Sequence, residues 1–472
     1  MKLSQKETAQ KILDTIRKNG GEAYLVGGCV RDLILEREPN DYDITTNLLP
    51  KDIKKIFHKE KIPVISIGDS EKHLTVIVVI DGYQIEVTTY RKETDYSDGR
   101  HPDSVIPAKT IEEDLSRRDF TMNAIASKDT FISLLSKDSL IDPYGGFEDI
   151  NRRYISCVGI PKDRFDEDKL RAMRAVRFAS QLGFKLGSST YEEIKSVSLD
   201  QISKERIQME LVKILGSKFP YHGMVLLKDL NLLKQIAPEL LDGVDLDGGN
   251  NHKETVWEHD LLTLNASVPL TQDWRLRLAC LLHDVGKPTC KLDTVGTIHF
   301  YGHELVGADI AKSIMKRLKF SNSDIDYVYS MILNHMHTYK QTKSELSKRA
   351  VKNLVRSIGQ ENVMDMVILN YCDREGNRAR ETMAFRLYVD RFSIWNRWEE
   401  IRKQDAAMKV TDLKVNGHDM MKLGYSGKLV GHVLKEMLNL IDQDLLKNNH
   451  QELIDHAIKQ KSYWDEFGKV KS

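Results

Sequence analysis

The first part of the chain alternates apolar and polar positions in short runs that are typical of a small β-sheet. Tyr24-Leu25-Val26 is an apolar strand that stops at Gly27-Gly28, and a helical stretch follows it. Asp41-Tyr42-Asp43-Ile44 then alternates polar and apolar residues, which predicts a second strand with one solvated face. Residues 1–20 have the pattern of an amphipathic helix.

Two further runs predict a β-hairpin. Residues 73–80 and 84–90 are rich in β-formers, and Asp81-Gly82 between them is a strong turn signal. From about Phe147 onward the chain becomes almost wholly helical. We therefore predict an α+β head, with a mixed or antiparallel sheet and helices, followed by an all-α remainder.

The second strand carries two carboxylates whose spacing suits a metal ion. Alternate residues of a strand point to one face, so Asp41 and Asp43 would lie side by side. Such a pair repels unless a divalent cation offsets the charge, and Mg²⁺ takes one or two carboxylates together with substrate phosphates. The Gly27-Gly28 turn lets backbone N–H groups approach a triphosphate closely. These features point to metal-assisted nucleotidyl transfer, although an isolated Asp-x-Asp is more often a solvated strand end.

The predicted hairpin would place Glu86 beside this pair. A third carboxylate there could complete the metal site or position the attacking hydroxyl. A polar residue on the solvent face explains Glu86 equally well.

Composition sets the class of protein. At 472 residues, with 41% apolar and 30% charged residues, the chain describes a globular protein of roughly two to four domains. No stretch approaches the roughly 20 apolar residues of a membrane span, and the N-terminus lacks a secretory apolar region, so we expect a cytoplasmic protein with no membrane partner.

Five scattered cysteines without CxxC spacing predict reduced thiols. Because 70 basic residues balance 70 acidic ones, RNA binding would rely on local basic patches.

A carboxylate and a guanidinium in the helical part could select a base. Asp168 and Arg171 are three residues apart, which on one helix places them on the same face. Asp168 can accept from the exocyclic amino group of cytosine or adenine, while Arg171 donates to the neighbouring ring acceptor. Guanine and uracil present a carbonyl instead, so the pair would admit CTP and ATP and reject the other two. The alternative is an ordinary surface salt bridge.

Histidines concentrate in the middle of the chain. Seven of the fifteen lie between His252 and His337, where an even spread would give fewer than half as many. Imidazole and carboxylate ligands suit Mn²⁺, Ni²⁺, Fe or Zn²⁺, and such a metal would activate water for attack on a phosphate ester. We therefore expect a site here, although any single histidine is more often an ordinary core or surface residue.

The motifs of the head and of the helical part after it resemble the class II nucleotidyltransferases, the family of bacterial-type tRNA CCA-adding enzymes and poly(A) polymerases with a polymerase-β-like head. The resemblance rests on five motifs in order, over residues 24–46, 113–124, 142–146, 165–184 and 202–210. It departs from the family pattern at Glu36, where a glycine is usual. The resemblance implies that Asp41 and Asp43 are catalytic and hold Mg²⁺, and Glu86 is the third candidate catalytic carboxylate. It implies that the nucleotide is bound by Gly27, Gly28, Arg31, Arg118, Asp119, Asn123, Asp168, Arg171, Arg174 and Arg177.

The histidine-rich segment is similar to the HD phosphohydrolase superfamily, because residues 283–288, His-Asp-Val-Gly-Lys-Pro, look like its signature. The resemblance implies a second metal site, with a transition metal and the ligands His259, His283, Asp284 and Asp373. His303 and His335 would be further ligands or phosphate contacts. Some members of the nucleotidyltransferase family carry such a domain with phosphatase and 2′,3′-cyclic phosphodiesterase capacity, which implies a role in repair of damaged tRNA ends.

Two further segments bear on the substrate. Residues 91–105 are polar and turn-rich and look like the flexible loop of CCA-adding and A-adding enzymes, which is typically shortened in CC-adding ones. Residues 413–419 and 424–428 resemble a tRNA-binding tail, with Ser426 and Lys428 where the family usually has prolines. A C-terminal helix pair that only stabilises the fold explains the tail equally well.

The resulting interpretation has four parts: a nucleotidyltransferase head (1–150), a helical neck for base selection (151–245), an HD domain (246–375) and a helical tRNA-binding tail (376–472). We expect a tRNA nucleotidyltransferase that adds C, C and A to tRNA 3′ ends from CTP and ATP. A-adding, CC-adding and poly(A) polymerase variants stay open, as do two other classes: an HD phosphohydrolase with an RNA-binding head, and a purely structural tRNA-binding protein. The sequence does not indicate an oligomeric state.

Overall fold

The computed structural model of the chain describes residues 3–66, 74–94, 104–130, 139–249, 252–294, 297–337, 347–392, 394–403 and 407–470. The chain divides into two compact units, Met1–Pro238 and Glu239–Ser472. The four-part division inferred from the sequence is finer than these units and stays a prediction. Among the helices of the described ranges, none has the length and apolar character needed to cross a membrane.

The first unit is built on a mixed sheet. Its described strands are β1 (Ala23–Val26), β2 (Asp43–Thr46), β3 (Val64–Ser66), β4 (Thr75–Ile80), β5 (Tyr83–Thr89), β6 (Arg91–Thr94), β7 (Ser104–Pro107), β8 (Ala126–Ser127), β9 (Leu140–Ile141), β10 (Tyr154–Ile155) and β11 (Lys185–Leu186). Seven of them form one sheet in the order β3-β4-β5-β2-β1-β8-β9. The β2 and β5 strands pair in parallel and the other neighbours pair antiparallel, so the predicted mixed sheet is confirmed.

The β4–β5 hairpin forms where its turn signal predicts it. Asp81 and Gly82 both have positive φ, 53° and 91°, as a two-residue turn of this kind requires. Residue 73, the first of the predicted run, lies outside the described residues.

The segment expected to be a loop contains regular structure at both ends. β6 and β7 pair antiparallel, with Arg91 opposite Pro107. Residues 95–103, the middle of that segment, lie outside the described residues. The expectation of a loop is therefore wrong for residues 91–94 and 104–105, which are strand.

Helices flank the sheet and continue beyond it. Those described in the first unit are α1 (Gln5–Lys18), α2 (Gly28–Ile34), α3 (Pro50–Lys59), α4 (Ile111–Ser116), α5 (Gly146–Arg152), α6 (Pro161–Glu167), α7 (Arg171–Leu182), α8 (Ser188–Ile194), α9 (Lys204–Leu215), α10 (Pro220–Asp229) and α11 (Leu233–Ile236), with a 3₁₀ turn at Thr121–Asn123. α1 begins at a capping box, in which the Ser4 hydroxyl accepts from Glu7 N–H and the Glu7 carboxylate accepts from Ser4 N–H. Its apolar face buries Ile12 and Ile16, as the amphipathic pattern predicts. The short parallel pair β10–β11 interrupts the part expected to be helical.

A break between α6 and α7 overturns one prediction. Asp168 caps the end of α6 with extended backbone, φ −146° and ψ 101°, and Arg171 is the first residue of α7. The Asp168 carboxylate accepts from the N–H of Leu170 at 3.0 Å, a local bond that competes with helical continuation. Asp168 and Arg171 are therefore not on one helix, because the three-residue spacing crosses a helix boundary.

The second unit is helical apart from one hairpin. Its described elements are α12 (Val256–Ser267), α13 (Trp274–Leu282), α14 (Lys287–Cys290), β12 (Leu292–Thr294), β13 (Thr297–His299), α15 (His303–Arg317), α16 (Asn322–Asn334), α17 (Lys348–Ile358), α18 (Val363–Gly376), α19 (Phe385–Phe392), α20 (Ile394–Lys403), α21 (Gly417–Lys422), α22 (Lys428–Asp442) and α23 (His450–Val470), with 3₁₀ turns at His335–His337, Gln360–Asn362 and Val410–Asp412. Gly286, between α13 and α14, allows the chain to pass close to α15, because a Cβ there would lie 2.3 Å from the carbonyl oxygen of His303. This close passage brings the residues after α13 against the start of α15.

The last helices form a packed core of their own. Met420, Tyr425, Val433 and Met437 are buried in one apolar cluster. The Tyr425 hydroxyl donates to the carbonyl of Ala457 at 2.7 Å and ties α23 to the turn between α21 and α22. The apolar residues of the two tail motifs therefore serve packing, which leaves their polar residues at the surface.

Candidate functional site

Three carboxylates lie together at one end of the central strands. Asp43 is the first residue of β2 and stands opposite Glu86 in the parallel pairing with β5. Asp41 lies in the turn just before β2, rather than in the strand as predicted, but it is exposed like Asp43, whereas Tyr42 between them is buried. Partial desolvation raises the pKa of Asp43, and the carboxylates of Glu86 and Asp41 raise it further. Accumulated negative charge of this kind is what a divalent cation relieves, and oxygen donors are the ligands of Mg²⁺.

A basic side chain lies between these carboxylates and the glycine turn. The Arg118 guanidinium lowers the pKa of the Asp43 carboxyl and so opposes the effect of burial and of the neighbouring carboxylates. Gly27 has φ 83°, and a Cβ on it would lie 2.9 Å from Nη1 of Arg118. Gly28 begins α2 directly afterwards. The turn, the guanidinium and the carboxylates therefore share one region of the head.

A chain of hydrogen bonds links the other predicted nucleotide-binding residues. Arg31 Nη1 donates to Asn123 Oδ1 at 2.7 Å, and Asn123 Nδ2 donates to Asp119 Oδ1 at 3.1 Å. The other Asp119 oxygen accepts from Arg174, from Nη2 at 2.5 Å and from Nε at 3.0 Å. Although burial alone would raise the pKa of Asp119, the Arg174 guanidinium and the Asn123 amide hold it well below its usual range. Asp119 therefore stays ionised and fixes residues of the head to α7.

Phe178 lies beneath three of these guanidinium groups and was not predicted. Its ring centroid is 4.3 Å from Cζ of Arg177, 5.2 Å from that of Arg31 and 5.6 Å from that of Arg174. Arg177 also pairs with Glu210 at 3.1 Å. Only the contact with Arg174, four residues earlier on the same helix, could have been expected from the sequence.

Asp114 is a second unpredicted residue. It is fully buried, and its carboxylate pairs with Arg117 at 3.0 Å and with Arg118 at 3.4 Å. Burial raises its pKa, but the two guanidiniums lower it below the ordinary value. Asp114 thus orients Arg118 from the side away from the glycine turn. It lies inside the motif at 113–124, which was its only signal in the sequence.

The two residues predicted to select the base have separate internal partners. Asp168 Oδ2 accepts from Arg206 Nη2 at 2.8 Å. Arg171 Nη1 donates to Glu167 Oε2 at 2.5 Å, and Arg171 Nη2 donates to the carbonyl of Arg117 at 3.2 Å. The alternative of an Asp168–Arg171 salt bridge does not occur, since each side chain is held by another residue.

The second unit brings all six predicted HD residues into one cluster around Asp284. One carboxylate oxygen of Asp284, Oδ2, lies 3.7 Å from Nε2 of His259 and 3.3 Å from Nε2 of His283. Asp373 Oδ1 lies 3.2 Å from the same His259 atom. The other oxygen, Oδ1, lies 3.2 Å from His303 Nε2 and 3.9 Å from His335 Nε2. Two ligand sets therefore share Asp284, and metal bonds of about 2.0–2.2 Å would leave neighbouring ligand atoms at roughly such separations.

Backbone carbonyls orient three of the imidazoles. The Nδ1 atoms of His283, His303 and His335 lie 3.0, 2.7 and 2.6 Å from the carbonyls of Cys280, Phe300 and Ile332. Because a carbonyl only accepts, each Nδ1 carries the proton and each Nε2 points to the cluster. The buried His283 Nε2 has no hydrogen-bond partner. An orphaned nitrogen in this position fits a metal ligand.

The charges around the cluster favour a cation. Burial alone would lower the pKa of His283, but Asp284, Asp373 and Asp260 raise it to about 10. His259 is also raised, to a pKa of about 9, through Asp373 and Glu254. Without a metal, the carboxylates therefore favour protonated imidazoles. A bound metal ion would replace those protons.

Two residues near the cluster were not predicted. The Lys287 ammonium lies 2.6 Å from Asp284 Oδ2 and is buried. Glu254 is buried between two rings, with its Oε1 2.7 Å from His252 Nδ1 and 3.4 Å from His259 Nδ1. Lys287 lies within the signature at 283–288, whereas Glu254 lies just before α12 and outside the motifs. Beside the cluster lies a cavity of about 410 Å³, lined by Asp284, Lys287, His303 and His335 among others.

Three family profiles match successive parts of the chain. They are the Poly A polymerase head domain over residues 23–156, the probable RNA and SrmB-binding site of polymerase A over residues 183–243, and the HD domain over residues 256–365. The nucleotidyltransferase head and the HD domain are both metal-dependent families.

Similar proteins and structures cover the whole chain. A CCA-adding enzyme of Bacillus cytotoxicus is 43% identical over 463 residues, which are 96% of this chain and 98% of that relative. A CCA-adding enzyme of Geobacillus kaustophilus is 45% identical over 228 residues, and this match spans about half of each protein, 48% of this chain and 53% of the relative. The crystal structure of the Bacillus stearothermophilus CCA-adding enzyme in complex with CTP matches with a TM-score of 0.71 at 26% identity, over 98% of this chain and 99% of that one. The Thermotoga maritima CCA-adding enzyme complexed with tRNA(CCA) shares the fold, with a TM-score of 0.59 at 19% identity over 96% of this chain and 95% of that one.

Proposed function

The chain belongs to the family of CCA-adding enzymes, and on that premise we propose that it adds C, C and A to the 3′ end of tRNA from CTP and ATP without a nucleic-acid template. The observation that carries the proposal is the position of Arg118 between the Gly27 turn and Asp43. A cation there meets the charge of a triphosphate at the point where the carboxylates meet its metal.

Asp41 and Asp43 would hold Mg²⁺, since negative charge crowds at the start of β2, where Glu86 stands opposite Asp43. When bound, the ion would offset charge on the triphosphate and on the departing pyrophosphate. In the reaction the tRNA 3′-hydroxyl gives up its proton to solvent and its oxygen forms a bond to the α-phosphorus, while the bond between that phosphorus and the bridging oxygen of pyrophosphate breaks. Glu86 would position the attacking hydroxyl.

The basic residues of the head and α7 would bind the nucleotide. Gly27 and Gly28 present backbone N–H groups, and Arg118 donates to phosphate oxygens. Arg31, Asn123 and the Asp119–Arg174 pair form one hydrogen-bonded unit that would reach the sugar and the remaining phosphates. Arg177 extends the same basic surface on Phe178. Asp168 and Arg171 would read the base, with CTP and ATP admitted by the amino group that each presents.

For the second site we propose hydrolysis of phosphate esters at RNA ends. His259, His283, Asp284 and Asp373 would hold one transition metal ion, and Asp284 with His303 and His335 would hold a second. Imidazole and carboxylate donors suit Mn²⁺, Ni²⁺, Fe or Zn²⁺, and the bound metal would supply an activated water. In the reaction the water oxygen bonds to phosphorus, the ester P–O bond breaks, and the alcohol leaves with a proton. Lys287, which lines the cavity beside Asp284, would contact the phosphate.

The tail would supply the basic contacts to tRNA that the balanced overall charge does not. Lys414, Lys422 and Lys428 are exposed around the buried core of the two tail motifs. A tRNA substrate would place the protein in the cytoplasm. In this proposal the head, neck, HD domain and tail keep the boundaries inferred from the sequence.

The test is extension of tRNA by the full chain with Mg²⁺. Three tRNAs, ending before CCA, after the first C and after CC, each receive CTP, ATP or both, and products are resolved at single nucleotides. Growth to CCA that then stops is the expected result. Asp41→Ala and Asp43→Ala should abolish extension, while Asp52→Ala, on α3, is the matched control and should retain it.

Each alternative has its own outcome. Arrest after CC, addition of A only, or an open-ended A tail would replace the proposal with a CC-adding enzyme, an A-adding enzyme or a poly(A) polymerase. Extension that survives loss of both aspartates would refute the assigned metal site. No extension, together with metal-dependent phosphatase activity that is lost in His283→Ala, would move the function to the second site. Absence of any metal-dependent activity would leave a structural tRNA-binding role.

A further inference from the structure

The cavity beside the HD cluster has two unlike walls. One wall carries the charged groups of the cluster, including Asp284 and Lys287. The other is formed by β13 and the residues after it, with Ile298, His299 and Tyr301. A phosphate group alone would use only the first wall, which leaves the second wall available to another part of a larger ligand.

The second wall presents an aromatic surface to solvent. Tyr301 is 74% exposed, which is unusual for a large side chain at the mouth of a polar cavity. Its ring stacks on His299 with a centroid distance of 5.2 Å and an interplanar angle of 12°. The Tyr301 hydroxyl also lies 3.4 Å from His299 Nδ1. His299 therefore supports the Tyr301 ring, most of whose surface stays open to a ligand.

The size of the cavity agrees with a ligand larger than phosphate. A volume of about 410 Å³ falls within the range of small-molecule pockets, which is about 300–1,000 Å³. Arg380 and Asn377 from the end of α18 and beyond it also line the cavity. A flat aromatic group on one side with cationic and amide groups on the other suits a nucleotide, whose base stacks and whose phosphate is charged.

We propose that His299 and Tyr301 form a nucleobase subsite of the HD cavity, in which the base of the terminal nucleotide stacks on Tyr301 while its phosphate ester lies at Asp284. The substrates of this site are then nucleoside phosphate esters and RNA 3′ ends, rather than sugar phosphates or inorganic phosphates. This inference rests on the proposed phosphohydrolase function of the same site.

The test compares two cyclic phosphodiesters that differ only by the presence of a nucleoside: adenosine 2′,3′-cyclic phosphate and glycerol 1,2-cyclic phosphate. The full chain with Mn²⁺ is assayed as wild type, Tyr301→Ala, Tyr301→Phe and Leu305→Ala. Leu305 is 51% exposed on α15 and does not line the cavity, so it is the matched control for loss of an exposed apolar side chain.

Tyr301→Ala should raise KM for the adenosine ester about 5- to 100-fold, the range expected for loss of one base–aromatic stack. Turnover at saturation and hydrolysis of the glycerol ester should not change, and Tyr301→Phe and Leu305→Ala should behave as wild type. An unchanged KM in Tyr301→Ala would overturn the subsite. Equal kcat/KM of the wild type for the two esters would overturn it as well.

A second measurement does not depend on hydrolysis. 8-Azidoadenosine 3′-phosphate is photolysed with the full chain, and the labelled peptides are identified by mass spectrometry, which separates label in the head from label at the HD cavity. Label on the peptide that contains His299 and Tyr301 supports the subsite even if neither ester is hydrolysed, in which case only the phosphohydrolase function fails. Absence of label there overturns the subsite.

Discussion

Gly27→Ala tests how closely the first turn of the head must approach Arg118. Gly27 has φ 83° and ψ −137°, a region that residues with a Cβ rarely adopt. The added Cβ would also lie 2.9 Å from Nη1 of Arg118. The substitution therefore strains the backbone and displaces a guanidinium that we place on the triphosphate.

The two effects have different magnitudes and different readouts. Backbone strain of this kind costs about 1–3 kcal/mol of folding free energy. For a unit the size of Met1–Pro238, an unfolding entropy of about 0.5 kcal/mol per kelvin converts that strain into a fall in Tm of about 2–6 °C. Arg118 can yield at its flexible end, so its displacement costs little stability, but loss of a charge-assisted bond to phosphate lowers kcat/KM about 10- to 100-fold.

Gly20→Ala is the matched control. Gly20 has φ 86° and nothing within 4 Å of an added Cβ, so it shares the positive φ without the contact. Thermal unfolding and steady-state CTP incorporation are measured on both variants. Both should lose Tm, and only Gly27→Ala should lose kcat/KM. The reasoning about Arg118 is refuted if the two variants have the same kcat/KM.

Four further perturbations follow from the geometry. Phe178→Leu should raise KM for CTP and ATP about 3- to 10-fold, because the guanidiniums lose the ring beneath them. Phe184→Leu changes a buried neighbour in the neck and should affect only Tm. Equal KM values for the two variants would contradict this reasoning. Asp119→Asn should lower Tm at neutral pH, and because the folded state depresses the pKa of Asp119 below its ordinary 3.8, the difference from wild type should shrink as pH falls below about 4. A difference that stays constant down to pH 3 would count against an ionised Asp119. His335→Ala should reduce the Mn²⁺ retained after gel filtration by one ion per chain, measured by mass spectrometry, and an unchanged metal content would rule out the second ligand set. Asp168→Ala should lower kcat/KM for CTP and ATP more than for UTP and GTP in extension assays, and equal losses for all four would remove Asp168 from base selection.

The sheet of the head was predictable because its signals are local. The turn at Asp81-Gly82 and the alternation around Tyr42 each depend on a few neighbouring residues, and both occur where the pattern places them. The break after Asp168 was not predictable in the same way. Residues 165–184 have a helical pattern on both sides of it, and the boundary is visible only in the extended backbone of Asp168 and its bond with Leu170 N–H.

The residues of the two sites also differ in whether a local sequence signal predicts them. The carboxylate pair and the His283-Asp284 step lie in short motifs, and the structure clusters the charged groups of each. The four other HD residues stand far apart in the chain, and only the family resemblance predicted them; the structure brings them around Asp284. Phe178 contacts Arg31 of another helix, and Glu254 contacts His259 across the start of α12; neither contact belongs to a motif. The residues that a motif or the resemblance supplies were therefore accessible, whereas Phe178 and Glu254 were not.

The internal partners of Asp168 and Arg171 position these groups without exhausting them. Arg171 has five N–H donors, and three are used, by the Glu167 carboxylate and by the carbonyls of Arg164 and Arg117. Asp168 has about four acceptor positions, and two are used, by Arg206 and by Leu170 N–H. Asp168 therefore keeps further acceptor positions and Arg171 keeps further N–H donors, and both side chains are already held by the protein. In the proposed base selection, a base that offers an amino group and a ring acceptor would add to these bonds without breaking any. A base with a carbonyl at that position would place its oxygen against the Asp168 carboxylate, and both groups only accept. The bonds to Arg206 and Leu170 would keep the carboxylate from turning away.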